Sequence, residues 1–65
     1  MLVRVVAPHF VAGLIIETIV DTDGVERGVC TRAAPILSWC VWRDADYLSR
    51  YFTRKGWRAS VVTST

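Results

Sequence analysis

Two cysteines and a single histidine in 65 residues leave little material for chemistry that runs on thiolates, imidazoles or metals. Cys30 and Cys40 stand ten apart and match no Cys-x-x-Cys spacing. They read as small buried hydrophobes kept reduced in a cytosolic setting. A zinc site assembled from Cys30, Cys40 and His9 falls one ligand short of a closed tetrahedral shell. The glycines at 13, 24, 28 and 56 are scattered rather than clustered ahead of a helix, which excludes a phosphate-cradling loop. Asp21-x-Asp23-Gly24 opens like a calcium loop, but Val25, Glu26 and Arg32 stand where the next ligand, the loop glycine and the bidentate glutamate are required. No metal and no cofactor is expected.

An uninterrupted apolar run is missing too. The longest stretch, residues 5–16, contains Pro8, His9 and Gly13. A spanning helix needs about 20 apolar residues, and a signal peptide needs an unbroken apolar middle. The chain therefore reads as cytoplasmic, with no membrane partner.

What is present is a hydrophobic composition. Apolar residues make up 52% of the chain and charged residues 22%, so a packed core is expected over a single domain, residues 1–65. A chain this short buries only roughly 60% of its unfolded surface. Such domains are commonly reinforced by disulfides, a metal or association. With the first two poorly supported, a homodimer is expected.

Residues 2–7 (LVRVVA) are β-branched and stop at Pro8, which marks a strand and a turn. Residues 10–20 (FVAGLIIETIV) read as a longer strand, with Gly13 as the expected bulge or bend. Asp21-Thr22-Asp23-Gly24 is the strongest turn signal, because Asp-Gly supplies the positive φ of a tight hairpin. Val25 to Thr31 completes that hairpin. Pro35 opens a short helix over 35–41. Asp44 is the expected N-cap of a second helix, residues 45–55, with Asp46 in its first turn, Arg54 and Lys55 in its last, and Gly56 as its left-handed cap. Residues 57–62 alternate as a final strand that pairs with the first or lies at an edge, and 63–65 should fray. The fold class is α+β: an antiparallel sheet, formed by a three-stranded meander plus the C-terminal strand, with two short helices packed on one face in the order β-β-β-α-α-β.

Two surfaces stand out. Ile15 and Ile19 point away from the face carrying Leu14, Ile16, Thr18 and Val20, so the outer face of the sheet is apolar and a candidate dimer interface. On the second helix, Arg43, Tyr47, Arg50 and Arg54 recur at steps of four, three and four, opposite the core-facing Ala45, Leu48, Phe52 and the stem of Lys55, with Arg58 just beyond the cap. Residues 1–42 carry three arginines against four carboxylates, and residues 43–65 carry five cations against two. An arginine stripe with an interleaved tyrosine attracts an acidic protein surface or a phosphate backbone; the plain alternative is a solvated face with an Asp46–Arg50 pair. Trp39 and Trp57 are expected to close the core. Trp42, between the helices and beside arginine, has the composition of an interface anchor. His9 beside Pro8 reads as a turn residue, and an enzyme is not expected.

The segments APHFVAGLII, AAPILSW and YLSRYFTRKGWRASVV together resemble a group of small proteins encoded in tailed-phage and prophage genomes. The matching pieces are Pro8-His9-Phe10-x-Ala12-Gly13, Ala34-Pro35-Ile36-Leu37 and Lys55-Gly56-Trp57, and the resemblance covers residues 5–62. The chain departs from the group in the longer, more acidic hairpin Asp21–Arg27 and at Trp42-Arg43-Asp44. The resemblance implies a phage accessory protein that works by binding a host bacterial protein in the host cytoplasm, for instance by inhibiting a host enzyme or defence complex. A small nucleic-acid-binding module using the basic helix face is the alternative.

Overall fold

In the computed structural model, which describes residues 1–63, strands β1 (Leu2–Ala7), β2 (Phe10–Val20) and β3 (Glu26–Ala33) are followed by a 3-10 segment (Pro35–Cys40), helix α1 (Ala45–Lys55) and strand β4 (Arg58–Val62). The four strands form one antiparallel sheet in the order β3-β2-β1-β4. The C-terminal strand thus pairs with β1 and is also an edge, the two placements the sequence left open. The expected α+β class holds at that level. The finer expectation of two α-helices is corrected: among the described residues there is one α-helix, preceded by a 3-10 segment.

The reason lies in spacing. Leu37 and Cys40 are both buried on the core, and residues three apart eclipse in a 3-10 helix but not in an α-helix. Leu37 N–H donates to Ala34 O at 2.8 Å and Val41 N–H to Ser38 O at 3.2 Å, with a kink at Leu37 between the two turns. Ala34 offers no side-chain cap, so nothing favours the wider α turn.

The hairpins follow their turn residues. Pro8 and His9 alone link Ala7 to its partner Phe10. Between β2 and β3, Gly24 takes φ 78° and donates to Asp21 O at 2.9 Å, and Arg27 closes on Asp21 at 3.1 Å. The irregularity expected at Gly13 lies elsewhere: the register shifts between Ile15 and Ile16, opposite Thr31. That bulge lets Cys30 and Ala33, an odd spacing apart, both face the core, because one extra residue flips the strand's alternation.

Helix α1 is set at both ends as its sequence requires. Asp44 accepts from Asp46 N–H at 2.8 Å. Gly56 stands at φ 75°, its N–H donating to Phe52 O and Thr53 O, and Trp57 N–H donates to Phe52 O at 2.9 Å. This is a Schellman termination, and its accompanying apolar contact is present: the Trp57 and Phe52 rings stack at 5.8 Å. Leu48 and Phe52 face the sheet, where they meet Val5, Leu14, Ile16, Cys30, Leu37 and Cys40. The N-terminal turn comes so close to β3 that a Cβ on Gly28 would lie 3.1 Å from Ala45 Cβ and 3.3 Å from Ile16 Cγ2. Gly28 is therefore the contact point of helix and sheet.

Trp57 packs as expected, edge-on to Phe10 at 5.2 Å. Trp39 covers the core from its rim rather than closing it: its ring lies 4.7 Å from Tyr51, but more than a third of the side chain stays exposed. The fraying expected at residues 63–65 concerns, for Ser64 and Thr65, positions outside the described residues. Among the described residues no helix is long and apolar enough to cross a membrane.

Candidate partner-binding surfaces

The first surface begins where the chain leaves the 3-10 segment. Arg43 N–H donates to Cys40 O at 3.0 Å, and Val41 sits at φ −60°, ψ 132° with Trp42 at φ 69°. These are the angles of a type II turn, whose third residue is ordinarily glycine or asparagine. A bulky L-residue there is held about 1–2 kcal/mol above its relaxed backbone. The turn returns the chain to β3: Trp42 N–H donates to Cys30 O at 2.7 Å, Cys30 N–H donates to Arg43 O at 3.0 Å, and Val29 and Asp44 form a bridge. Trp42 itself is 74% exposed.

Arg43, Tyr47, Arg50 and Arg54 lie on or next to the solvent side of α1, all exposed. The Arg43 guanidinium stands 5.6 Å over the Tyr47 ring, a cation–π contact, and its Nε donates to Trp39 O at 3.4 Å. Trp42, Arg43 and Tyr47 thus form one end of a continuous surface, with Arg50 and Arg54 extending it. The Asp46–Arg50 pair that would solvate this face is not formed; among the described residues the ion pair is Arg27–Asp21. Lys55 leaves the core side and lies 5.7 Å over Tyr51.

Arg58 does not join the stripe. It stands in β4 opposite Val6, on the sheet face turned away from α1. That outer face carries the second surface. Leu2, Val6, Val11, Ile19 and Val62 are exposed, with Ile15 half-buried beside Leu2. Arg4 stands in the middle of it, between Leu2 and Val6 and opposite Gly13 and Ser60, and Arg32 rims it opposite Ile15. Ile15 belongs to this patch. Ile19 lies four residues further along the strand, opposite Arg27 near the hairpin tip, so the two isoleucines mark one end of a face whose centre is β1. The signal that would have located that centre is β1 itself, where both alternate sets, Leu2 and Val6 as well as Val3 and Val5, are apolar.

The reactive side chains are dispersed. His9 is exposed at a hairpin tip, whereas Cys30 and Cys40 are buried and unbonded to each other. Burial pushes the Cys40 thiol up from 9.0 to about 11, the neighbouring Cys30 adding to the effect and Arg43 opposing it. Burial also raises Cys30, whose Sγ–H donates to Arg32 O at 3.3 Å. Among the described residues no cluster of three His, Cys, Asp or Glu side chains is placed to hold a metal ion.

The fold and these surfaces define a small α+β domain whose sheet is covered on one face only. No family model matches the chain, and no curated protein or solved structure matches it either.

Proposed function

We propose that the chain is a non-enzymatic binding protein that engages an acidic protein surface through Trp42, Arg43, Tyr47, Arg50 and Arg54. The observation that carries this reading is Trp42: a 74% exposed indole on a left-handed backbone, where glycine would relieve strain. Its ring contributes little to the fold, and a tryptophan flanked by arginine is the usual anchor of an interface. The resemblance to phage-encoded proteins extends the proposal to an accessory protein acting on a host bacterial protein in the host cytoplasm. Arg58, placed on the other side of the sheet, is left out of this surface.

The test is a capture experiment from nuclease-treated bacterial lysate with the wild-type chain, Trp42→Gly, and Arg50→Glu with Arg54→Glu. A stoichiometric protein retained by the wild type and lost by both variants, with unchanged circular dichroism, supports the proposal. The same protein retained by Trp42→Gly sinks it. Nucleic acid that copurifies without nuclease and leaves as salt rises supports the nucleic-acid alternative instead, since phosphate contacts release counterions.

A further inference from the structure

The β4 edge of the sheet is open, and an apolar groove adjoins it. All five residues of β4 are exposed, and the only strand paired with it among the described residues is β1, from Leu2↔Val62 to Val6↔Arg58. Its other side presents backbone N–H and C=O groups with no partner strand. Edge strands are normally protected by proline, by lysine, by a bulge or by a charge pointing inward. β4 has none of these, its one charge, Arg58, lying at its start and on the outer face. On the inner face a groove of about 260 Å³ runs between α1 and β4, lined by Val3, Leu14, Ile16, Phe52, Ala59 and Val61.

We infer that β4 pairs antiparallel with β4 of a second copy of this chain, about a two-fold axis through Ser60 perpendicular to the sheet. Three features of the strand select a second copy. Such a two-fold keeps inner residues opposite inner residues, and the centre at Ser60 is the one that uses all five positions. It sets Val61 against the partner's Ala59, large against small, on the groove side, and Ser60 against its own counterpart on the outer side. It also sets Arg58 against the partner's Val62, which holds the two Arg58 side chains about 14 Å apart at ~3.4 Å per residue, beyond the ~8–10 Å range of unscreened repulsion.

The opposite edge explains why pairing stops at two. The middle of β3, at Val29 and Cys30, is already engaged by Trp42, Arg43 and Asp44, which interrupts that edge. An isologous contact through one free edge closes on itself instead of propagating. The dimer is an eight-stranded sheet with both helices on one side. A ladder of five residues is short of the ~800 Å² per partner of a standard interface. The walls of the two grooves must therefore contribute, and the dimer is expected to dissociate on dilution.

Sedimentation velocity on the purified chain between about 10 μM and about 1 mM, a span that covers weak association, tests this with three variants. The wild type should shift from monomer to dimer across that range. Ser60→Lys places two ammonium groups directly opposite one another and should weaken the dimer at least about tenfold. Adding Ser60→Glu chains to Ser60→Lys chains should restore a dimer containing one of each. Val11→Lys, on the outer face, should leave association unchanged. Circular dichroism identical to wild type confirms that each variant is folded. A wild type that stays monomeric throughout overturns the inference, as does a Ser60→Lys chain that dimerises as the wild type does. Ser60→Lys and Ser60→Glu chains that fail to pair overturn it as well. A dimer lost in Val11→Lys and kept in Ser60→Lys puts the contact on the outer face and overturns it too.

Discussion

At the β3 edge, Trp42 and Arg43 fold back and exchange two hydrogen bonds with Cys30; at the β4 edge, five consecutive residues face solvent with no further strand beside them among the described residues. The first edge is clamped by a segment that the core holds in place, because Leu37 and Cys40, both within the 3-10 segment just before it, are buried in the core. The second is held by its pairing with β1 and by contacts with α1, from which Gly56 and Trp57 lead into it. The difference shows where the chain has spent its limited apolar surface. A domain of this size cannot bury every part of its sheet, so one edge is clamped by the chain's own turn at Val29 and Cys30 and the other is left uncovered among the described residues.

The strongest way to break the contrast is Leu37→Ala. Leu37 is 1% exposed, and truncating a fully buried leucine costs about 2–5 kcal/mol. Denaturant unfolding should show that loss, and amide exchange at Cys30 and Trp42 should accelerate towards that of a free edge. Exchange at those amides that stays slow in the variant would mean that the clamp stands without its anchor.

Gly28→Ala should cost about 1–3 kcal/mol, the usual penalty of overpacking, since the new Cβ would meet Ala45 Cβ at 3.1 Å. Equal stability of the two proteins by denaturant titration would show that helix and sheet separate without cost. Trp42→Gly should act in the opposite direction. Release of about 1–2 kcal/mol of left-handed strain outweighs the roughly 0.5–1 kcal/mol of extra chain freedom that glycine loses. The expected result is a gain of up to about 1.5 kcal/mol with the β3 clamp intact; a loss on denaturation would show that the indole contributes to the fold.

The gentlest probe is pH. Below 9.0 the Cys40 thiol is neutral in folded and unfolded chains alike, and its contribution is constant. Between 9.0 and about 11 the unfolded chain ionises while the buried thiol does not, so stability falls as pH rises through that window. Cys30, raised in the same direction, adds to the fall. Melting temperatures from pH 7 upward should decline above 9, and less steeply in Cys40→Ala. An identical slope in that variant would remove Cys40 as a cause.

Much of this architecture is legible in local signals. The bounds of β1, β2 and α1 follow from Pro8, from the Asp21–Gly24 turn, and from Asp44 and Gly56. Each of those residues acts through its own backbone or its nearest neighbours. The place of Trp42 between helical segments beside Arg43 points to an interface anchor, and the spacing of Arg43, Tyr47, Arg50 and Arg54 marks one face of the helix. The 3-10 geometry of Pro35–Cys40, the bulge at Thr31 and the position of Arg58 were not legible. A strand's alternation is lost at a bulge, and a residue just past a helix cap joins the helix surface or the sheet according to where the next strand pairs.

The sequence by itself determined the turns, the caps, the strand segments and a chain poor in chemically active groups, because these depend on φ preferences, short hydrogen bonds and composition. Only the tertiary structure decided that β4 returns to β1, that Trp42 closes one edge of the sheet in a strained turn, and that the other edge stays open. Those outcomes rest on pairing and packing between residues far apart in the chain, which no local pattern encodes.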